Sequence, residues 1–117
     1  NLVAYKRQSS MEVMHYVSSN GRDQFDDWLD RIRDRRTLTA IFRRIGRIER
    51  HGFFGDHRYL RAGVSELRVD LGPGYRVYFS LVTPTTVLLI HGGDKRRQDR
   101  DIELAIRRLV DYRRRST

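Results

Sequence analysis

The sequence contains no cysteine, only two prolines and only two lysines in 117 residues. The absence of cysteine excludes disulfide bonds, cysteine-ligated zinc and thiol nucleophiles. The longest apolar run, residues 86–90, is far shorter than the roughly 18–20 residues that a membrane-spanning helix needs. No signal-peptide pattern opens the chain, so we expect a protein that is not exported, has no membrane partner and acts in the cytoplasm.

Arginine supplies nearly all of the positive charge. Lys and Arg total 24 against 15 Asp and Glu, which gives a formal net charge of +9, and 22 of the 24 bases are Arg. The planar guanidinium grips a phosphate with two parallel hydrogen bonds. The excess therefore predicts a nucleic acid or a strongly acidic protein as partner. A general bias toward Arg on solvated helix faces accounts for many single arginines, but less easily for the net excess.

Hydrophobic patterning predicts a single α+β domain at residues 11–117, preceded by a tail at residues 1–10. Hydrophobic residues make up 38% and charged residues 33% of the chain, which suits a folded protein with a modest core. Apolar residues at helical spacing predict helices at 22–34, 37–51 and 98–113. Strands are predicted at 11–17, 58–60, 64–71, 75–82 and 86–91.

The strands predicted at 64–71 and 75–82 alternate apolar and polar residues. That alternation predicts an antiparallel pair with one buried and one exposed face. Residues 72–74, Gly-Pro-Gly, suit a three-residue hairpin loop because glycine takes positive φ. With that loop, Asp70 lies opposite Arg76 on the neighbouring strand.

Three cations and a phenol are then expected close together. Arg68, Arg76 and Tyr78 project from the exposed face, and Lys95 follows the next strand after a turn at residues 92–93. Such charge suits RNA backbone cleavage, because the phosphorane transition state gathers negative charge. The alternative is that the arginines form surface salt bridges with nearby carboxylates, each worth under about 1 kcal/mol.

The four histidines are His15, His51, His57 and His91, and none lies in a spaced pair with nearby carboxylates. No metal site is therefore predicted, and no cofactor is expected. Only His91, at the end of a predicted central strand, lies near the expected site. It is either a proton-transfer group or a packing residue.

Three sequence blocks are distinctive in combination: VSELRVD at 64–70, GPGYRVYF at 72–79, and LLIHGGDK at 88–95. Together they resemble the HigB-like addiction-module killer proteins of the RelE/ParE toxin superfamily, over about residues 12–109. The resemblance implies a compact RelE-like α+β fold. In that fold two N-terminal helices and a C-terminal helix pack on a curved antiparallel sheet.

The resemblance implies the toxin of a type II toxin–antitoxin system. Such a toxin is a metal-independent mRNA interferase that cuts mRNA in the ribosomal A site and so inhibits translation. It implies that Arg68 and Arg76 contact the scissile phosphate, and that Lys95 assists proton transfer or binds a neighbouring phosphate. The further substrate-binding candidates are Tyr78, Arg96, Arg97, Arg43 and Arg47.

An alternative is a non-enzymatic ParE-like toxin that inhibits DNA gyrase, although such a protein has no need of the three cations. The resemblance also implies a co-encoded helix-turn-helix, HigA-like antitoxin, with operator DNA bound only through the complex. That antitoxin either covers the cationic face or blocks access to the ribosome by its bulk.

Mutations are expected to separate activity from folding. Arg76→Ala should abolish toxicity and leave the fold largely intact, because this side chain is expected to be exposed. Leu67→Ala or Phe79→Ala should instead destabilise the fold by roughly 2–5 kcal/mol.

Overall fold

The computed structural model describes residues 10–116, which form a five-stranded sheet and three α-helices. The strands are β1 (Glu12–His15), β2 (His57–Arg61), β3 (Val64–Val69), β4 (Tyr75–Thr83) and β5 (Thr86–Asp94). The helices are α1 (Gln24–Arg31), α2 (Arg35–His51) and α3 (Gln98–Arg115), with a 3-10 helix, Lys95–Arg97, directly before α3. The predicted α+β class is confirmed. Apart from Ser10, the predicted tail lies outside the described residues.

The sheet is mixed, with strand order β1-β5-β4-β3-β2. Strands β2 to β5 pair antiparallel in sequence order, whereas β1 pairs parallel with β5, from Glu12 opposite Thr86 to His15 opposite Leu89. The predicted all-antiparallel sheet is therefore wrong at this pair. A parallel pair needs a long connection, and here two helices and three strands separate β1 from β5.

Local signals explain where the helices begin and end. The Asp23 side chain accepts a hydrogen bond from the Asp26 N–H at 2.9 Å and caps α1. Ile32 is extended, which ends α1 before residue 34. Gly52 adopts φ 65° and ends α2. No helix within residues 10–116 combines the length and the apolar character needed to cross a bilayer.

Helices cover both faces of the sheet. One core joins α1 and α2 to one face, and the other joins α3 to the opposite face. Buried residues of the first core include Phe25, Leu29, Ile41, Ile48, Leu67, Val77, Phe79 and Leu89. Those of the second are Tyr16, Val64, Tyr78, Leu88, Ile90, Ile102, Ala105 and Leu109. The β3–β4 face predicted to be exposed is therefore largely buried by α3.

The β3–β4 register differs from the prediction by two residues. Arg68 lies opposite Arg76 and Val69 opposite Tyr75, so the connection comprises residues 70–74 rather than three residues. Within it, the Gly74 N–H donates to the Leu71 carbonyl at 2.9 Å. A shift of two residues leaves every side chain on its predicted face. It places the two arginines directly across from each other.

Strand β5 continues through Gly92 and Gly93 to Asp94, so the predicted turn at these glycines is wrong. A Cβ on Gly92 would overlap the Trp28 indole, and a Cβ on Gly93 would overlap the Asp101 carboxylate. Both glycines therefore serve close packing from the two faces of the strand, not chain reversal.

Candidate functional site

Three of the predicted cationic residues meet at the end of the sheet next to the β3–β4 connection. Arg68 and Arg76 are cross-strand partners, and Arg76 pairs in turn with Gly93 of β5. Lys95 follows β5, and its N–H donates to the Gly74 carbonyl at 2.9 Å. We call Arg68, Arg76 and Lys95 the cationic floor. Its members come from β3, β4 and the 3-10 helix.

Arg68 is the floor residue with the clearest phosphate-binding geometry. Its Nε and Nη2 donate to Asp56 Oδ1 at 3.1 and 2.8 Å, and 34% of the side chain is exposed. Donating these hydrogen bonds to the Asp56 carboxylate raises the pKa of this guanidinium, so it stays charged. Arg68 thus forms a surface salt bridge, as in the alternative drawn from the sequence, and its partner is Asp56. Because such a pair at the surface is worth at most about 1 kcal/mol, a phosphate can compete for the same fork.

Arg76 is buried, which contradicts the expected exposed position. Only 11% of its side chain is exposed, and its Nε lies 3.7 Å from Glu66 Oε1. Its Nη1 donates to the Tyr75 carbonyl at 3.0 Å and lies 3.8 Å from Asp70 Oδ1. The reason for expecting Arg76→Ala to leave the fold intact is therefore lost, and we expect the change to destabilise the fold because it would remove a partner of a buried carboxylate.

That carboxylate, Glu66, is fully buried and was not singled out from the sequence as a site residue. Gln98 Nε2 donates to Glu66 Oε1 at 2.8 Å, and Arg58 Nη2 lies 3.2 Å from Oε2. Glu66 thus links β2, β4 and the first residue of α3 beneath the floor. The alternation of polar and apolar residues marked it as solvent-exposed. The sequence signal that could have found Glu66 is an acidic residue with arginines on the two neighbouring strands, Arg58 on β2 and Arg76 on β4.

Tyr78 is fully buried, so its expected exposure on the floor is wrong. Its ring stacks on His91, with centroids 6.1 Å apart and planes 20° apart. Burial raises the pKa of the phenol. Because Tyr78 has no exposed surface, it cannot contact a substrate in this conformation and is not part of the candidate site.

His91 uses both ring nitrogens inside the protein. Nδ1 lies 3.0 Å from Arg108 Nη1, and Nε2 lies 2.9 Å from Asp101 Oδ1. Because a guanidinium only donates, Nδ1 accepts and the Nε2–H donates to Asp101. Burial lowers the pKa of the imidazole. Of the two alternatives for His91, this arrangement favours the packing residue over the proton-transfer group.

The remaining substrate-binding candidates fall into two groups. Arg96 and Arg97 lie beside Lys95 and are exposed, with Arg96 held by Asp94 at 2.8 Å. Arg43 and Arg47 are exposed on α2, which packs against the other face of the sheet. The structure therefore brings only the first pair to the floor.

A second concave surface adjoins the floor. This cleft, of about 580 Å³, lies against the C-terminal part of β5, and we call it the β5 cleft. Its lining residues come from α1, β5 and the α3 end of the chain and include Trp28, Arg31, Gly92, Arg97, Arg100, Asp101 and Leu104.

The arrangement suits anion binding and charge neutralisation. Guanidinium and ammonium groups are its main polar side chains, and the nearby carboxylates are held by His91 and Arg96. In the described part of the chain, no three His, Asp or Glu side chains are grouped as metal ligands. The chemistry that these side chains supply is electrostatic.

No family model matches the chain. A protein of Haemophilus influenzae, described as an uncharacterized protein, is 43% identical over 81 residues, which are 69% of this chain and 81% of that protein. This chain belongs to the same family. The aligned residues make up most of both chains. The description of the Haemophilus protein gives no activity, so the function is inferred from the site itself.

Proposed function

We propose that this chain is the toxin of a type II toxin–antitoxin system and a ribosome-dependent mRNA endoribonuclease that acts in the cytoplasm. The observation that carries the proposal is the cationic floor, in which three cations from β3, β4 and the 3-10 helix lie at one end of the sheet. The resemblance to HigB-like killer proteins supports it. On this proposal the three helices and the sheet adopt the RelE-like arrangement.

The proposed reaction needs no group beyond the RNA and the protein's cations. The 2′-hydroxyl oxygen gives up its proton and bonds to the adjacent phosphorus, the bond from phosphorus to the 5′-oxygen breaks, and that oxygen takes up a proton, which leaves a cyclic phosphate and a 5′-hydroxyl. Arg68 holds the phosphate with its fork, and Arg76 adds positive charge from beneath. Arginine cannot accept the 2′-hydroxyl proton because it stays protonated. Lys95 either accepts that proton or binds a neighbouring phosphate.

The proposed regulatory partner is a co-encoded, helix-turn-helix, HigA-like antitoxin. The net charge of +9 supports an acidic contact surface on that partner. The antitoxin either covers the floor or blocks access to the ribosome. Operator DNA is bound by the complex and not specifically by the toxin alone.

Cleavage of a defined mRNA, with and without ribosomes, tests the proposal. We expect codon-phased 5′ ends only when ribosomes are present, and no loss of activity with EDTA at a level that leaves ribosomes intact. Arg68→Ala should lower the rate about 10²–10³-fold, the effect of losing one transition-state contact. Arg33→Ala, also exposed but remote in sequence from the floor, is the matched control. Rapid cutting of naked RNA by the wild type would contradict ribosome dependence.

One observation supports a second candidate, a ParE-like gyrase inhibitor. Arg76 is buried, so a substrate reaches fewer of the three floor cations than the sequence predicts. Induction in cells separates the two functions. Intact mRNA together with an SOS response would favour gyrase inhibition, and cuts inside open reading frames favour the nuclease.

A further inference from the structure

The last part of β5 has a strand on one side only. β1 pairs with β5 from Thr86 to Leu89, and the final contact is the Tyr16 N–H to the Leu89 carbonyl at 2.8 Å. β5 itself continues to Asp94. Among residues 10–116, no strand covers positions 90–94 on the side away from β4. The β5 cleft is lined from both faces of the sheet, so it follows this free edge.

The two glycines of β5 let side chains from both faces of the sheet pack closely on the strand, and these side chains form walls of the cleft. On one face the Trp28 indole packs over Gly92, and on the other the Asp101 carboxylate packs over Gly93. Trp28 is half-buried and also contacts Tyr75, with ring centroids 6.3 Å apart. Part of an indole held by neighbouring rings therefore forms one wall of the cleft.

Three arginines give the cleft a net positive charge. Arg31 from α1 and Arg97 and Arg100 from the α3 side are exposed, and none forms an ion pair with another described residue. The two carboxylates in the lining are already engaged, Asp101 by His91 at 2.9 Å and Asp94 by Arg96 at 2.8 Å. The lining thus holds four arginines, counting Arg96, against two aspartates, and this net positive charge suits an anionic ligand.

We propose that the β5 cleft binds a nucleotide of single-stranded RNA that neighbours the nucleotide held at the cationic floor. Arg31, Arg97 and Arg100 bind its phosphates, and its base packs against Trp28. Groove arginines combined with an aromatic side chain are the usual means of holding single-stranded nucleic acid. The 3-10 helix joins the two sites, because Lys95 belongs to the floor and Arg97 to the cleft. The role of this site as a substrate subsite rests on the proposed function.

Trp28 is the only tryptophan, so all tryptophan fluorescence comes from this wall of the cleft. The probe is a hexaribonucleotide, titrated without ribosomes into the wild type and into the double variant R31Q/R100Q. We expect saturable quenching for the wild type and at least tenfold weaker binding for the variant. The slope of log K against log salt should become less steep by about 0.7 for each phosphate contact removed. R33Q/R107Q loses the same charge at exposed positions outside the cleft and should bind within about twofold of the wild type.

The titration has clear contrary results. Binding of the RNA without a change in Trp28 fluorescence, or equal affinity of R31Q/R100Q and its control, would overturn the inference. So would quenching by a hexaglutamate peptide with none by RNA, because the free edge would then serve an acidic strand.

Ribosome-dependent cleavage by the same variants distinguishes this inference from the proposed function. R31Q/R100Q should raise KM with little change in kcat. If the wild type cleaves mRNA but its fluorescence does not respond to RNA, only the RNA-binding role of the cleft is overturned. If its fluorescence responds to RNA but it never cleaves mRNA, the nuclease proposal is overturned and the cleft is still an RNA-binding site.

Discussion

At the scale of single residues, the main unexpected feature is a glutamate with no exposed surface. Glu66 accepts a hydrogen bond from the Gln98 amide, and the charges of Arg58 and Arg76 at 3.2 and 3.7 Å offset part of the cost of burying its carboxylate. The sequence shows only that Glu66 occupies a polar position in an alternating strand. Which polar positions are covered depends on where α3 packs, and that is a long-range contact that periodicity does not report.

Removing Glu66 should therefore be strongly destabilising. Glu66→Ala leaves Arg76 buried without its nearest carboxylate, a change that costs about 3–5 kcal/mol for a buried pair. Asp70→Ala removes the other carboxylate near Arg76, but Asp70 is 77% exposed and the effect should stay under about 1 kcal/mol. Urea unfolding measures both. Equal losses for the two variants would show that Glu66 does not have the central role assigned to it.

His91 should make stability depend on pH. Burial lowers its folded pKa, so between about pH 6.5 and the lower folded value the unfolded chain binds a proton that the folded chain does not. Acid therefore favours unfolding in that window, and stability is regained as the pH rises. Protonation would also place an Nδ1–H against Arg108, while Asp101 accepts at the other nitrogen and Arg31 adds positive charge nearby.

The measurement is the urea midpoint at several pH values. We expect the midpoint to fall more between pH 7.5 and 5.5 for the wild type than for His91→Gln. His51→Gln, at an exposed position, is the matched control. Parallel curves for the wild type and His91→Gln would contradict the assignment.

At the scale of elements, the sequence predicts most helices and strands, and fails where one signal has two physical meanings. The apolar stripe with Ile41 and Ile48 predicts α2, and Gly52 correctly marks its end. Gly92 and Gly93 resemble a turn, but they lie in a strand because two side chains from other elements fill their Cβ space. The predicted hairpin loop is too short because the Gly-Pro-Gly sequence is compatible with loops of several lengths, so it does not fix where the strands stop pairing.

For the candidate site as well, the sequence predicts some features and misses others. The sequence correctly brings Arg68, Arg76 and Lys95 to one end of the sheet. It does not predict that Arg76 and Tyr78 are covered, because helices were expected on one face only. Trp28 of α1 fits its helix pattern as a core residue, and its place in the β5 cleft depends on tertiary packing.

Two glycine substitutions should separate packing from helix propensity. Gly92→Ala places a methyl group against the Trp28 ring and should destabilise the fold by about 1–3 kcal/mol, as overpacking does. Gly46→Ala, inside α2, meets only the flexible end of Arg50 and should stabilise the fold by up to about 1 kcal/mol. Thermal unfolding measures both variants. A neutral Gly92→Ala would mean that Trp28 moves aside freely.

At the scale of the whole molecule, charge and layering act together. The sheet is covered on both faces, so most of the arginines among residues 10–116 lie at the rim or on the outer faces of the helices. A net charge of +9 on that surface attracts acidic partners over long range. The same charge opposes close approach of two copies of this chain.

The proposed antitoxin complex should therefore form at a rate that depends on salt. We expect the association rate constant to fall at least tenfold between about 0.05 and 0.5 M NaCl, since charge steering raises such rates by 10–10³-fold. Stopped-flow mixing with the co-encoded protein measures it. A rate that does not change with salt would place the contact on the apolar residues of the surface instead.

The parallel pairing of β1 with β5 also sets an order of events in time. The first described strand finds its partner only when residues 86–89 have been synthesised, and pairings so distant along the chain form slowly. Arg76 acquires its pairing with Gly93, and Lys95 its hydrogen bond to the Gly74 carbonyl, only at the same late stage. On the proposed function, the cationic floor is therefore incomplete until residues 86–95 have been synthesised. An antitoxin already present in the cell has that interval in which to reach the toxin first.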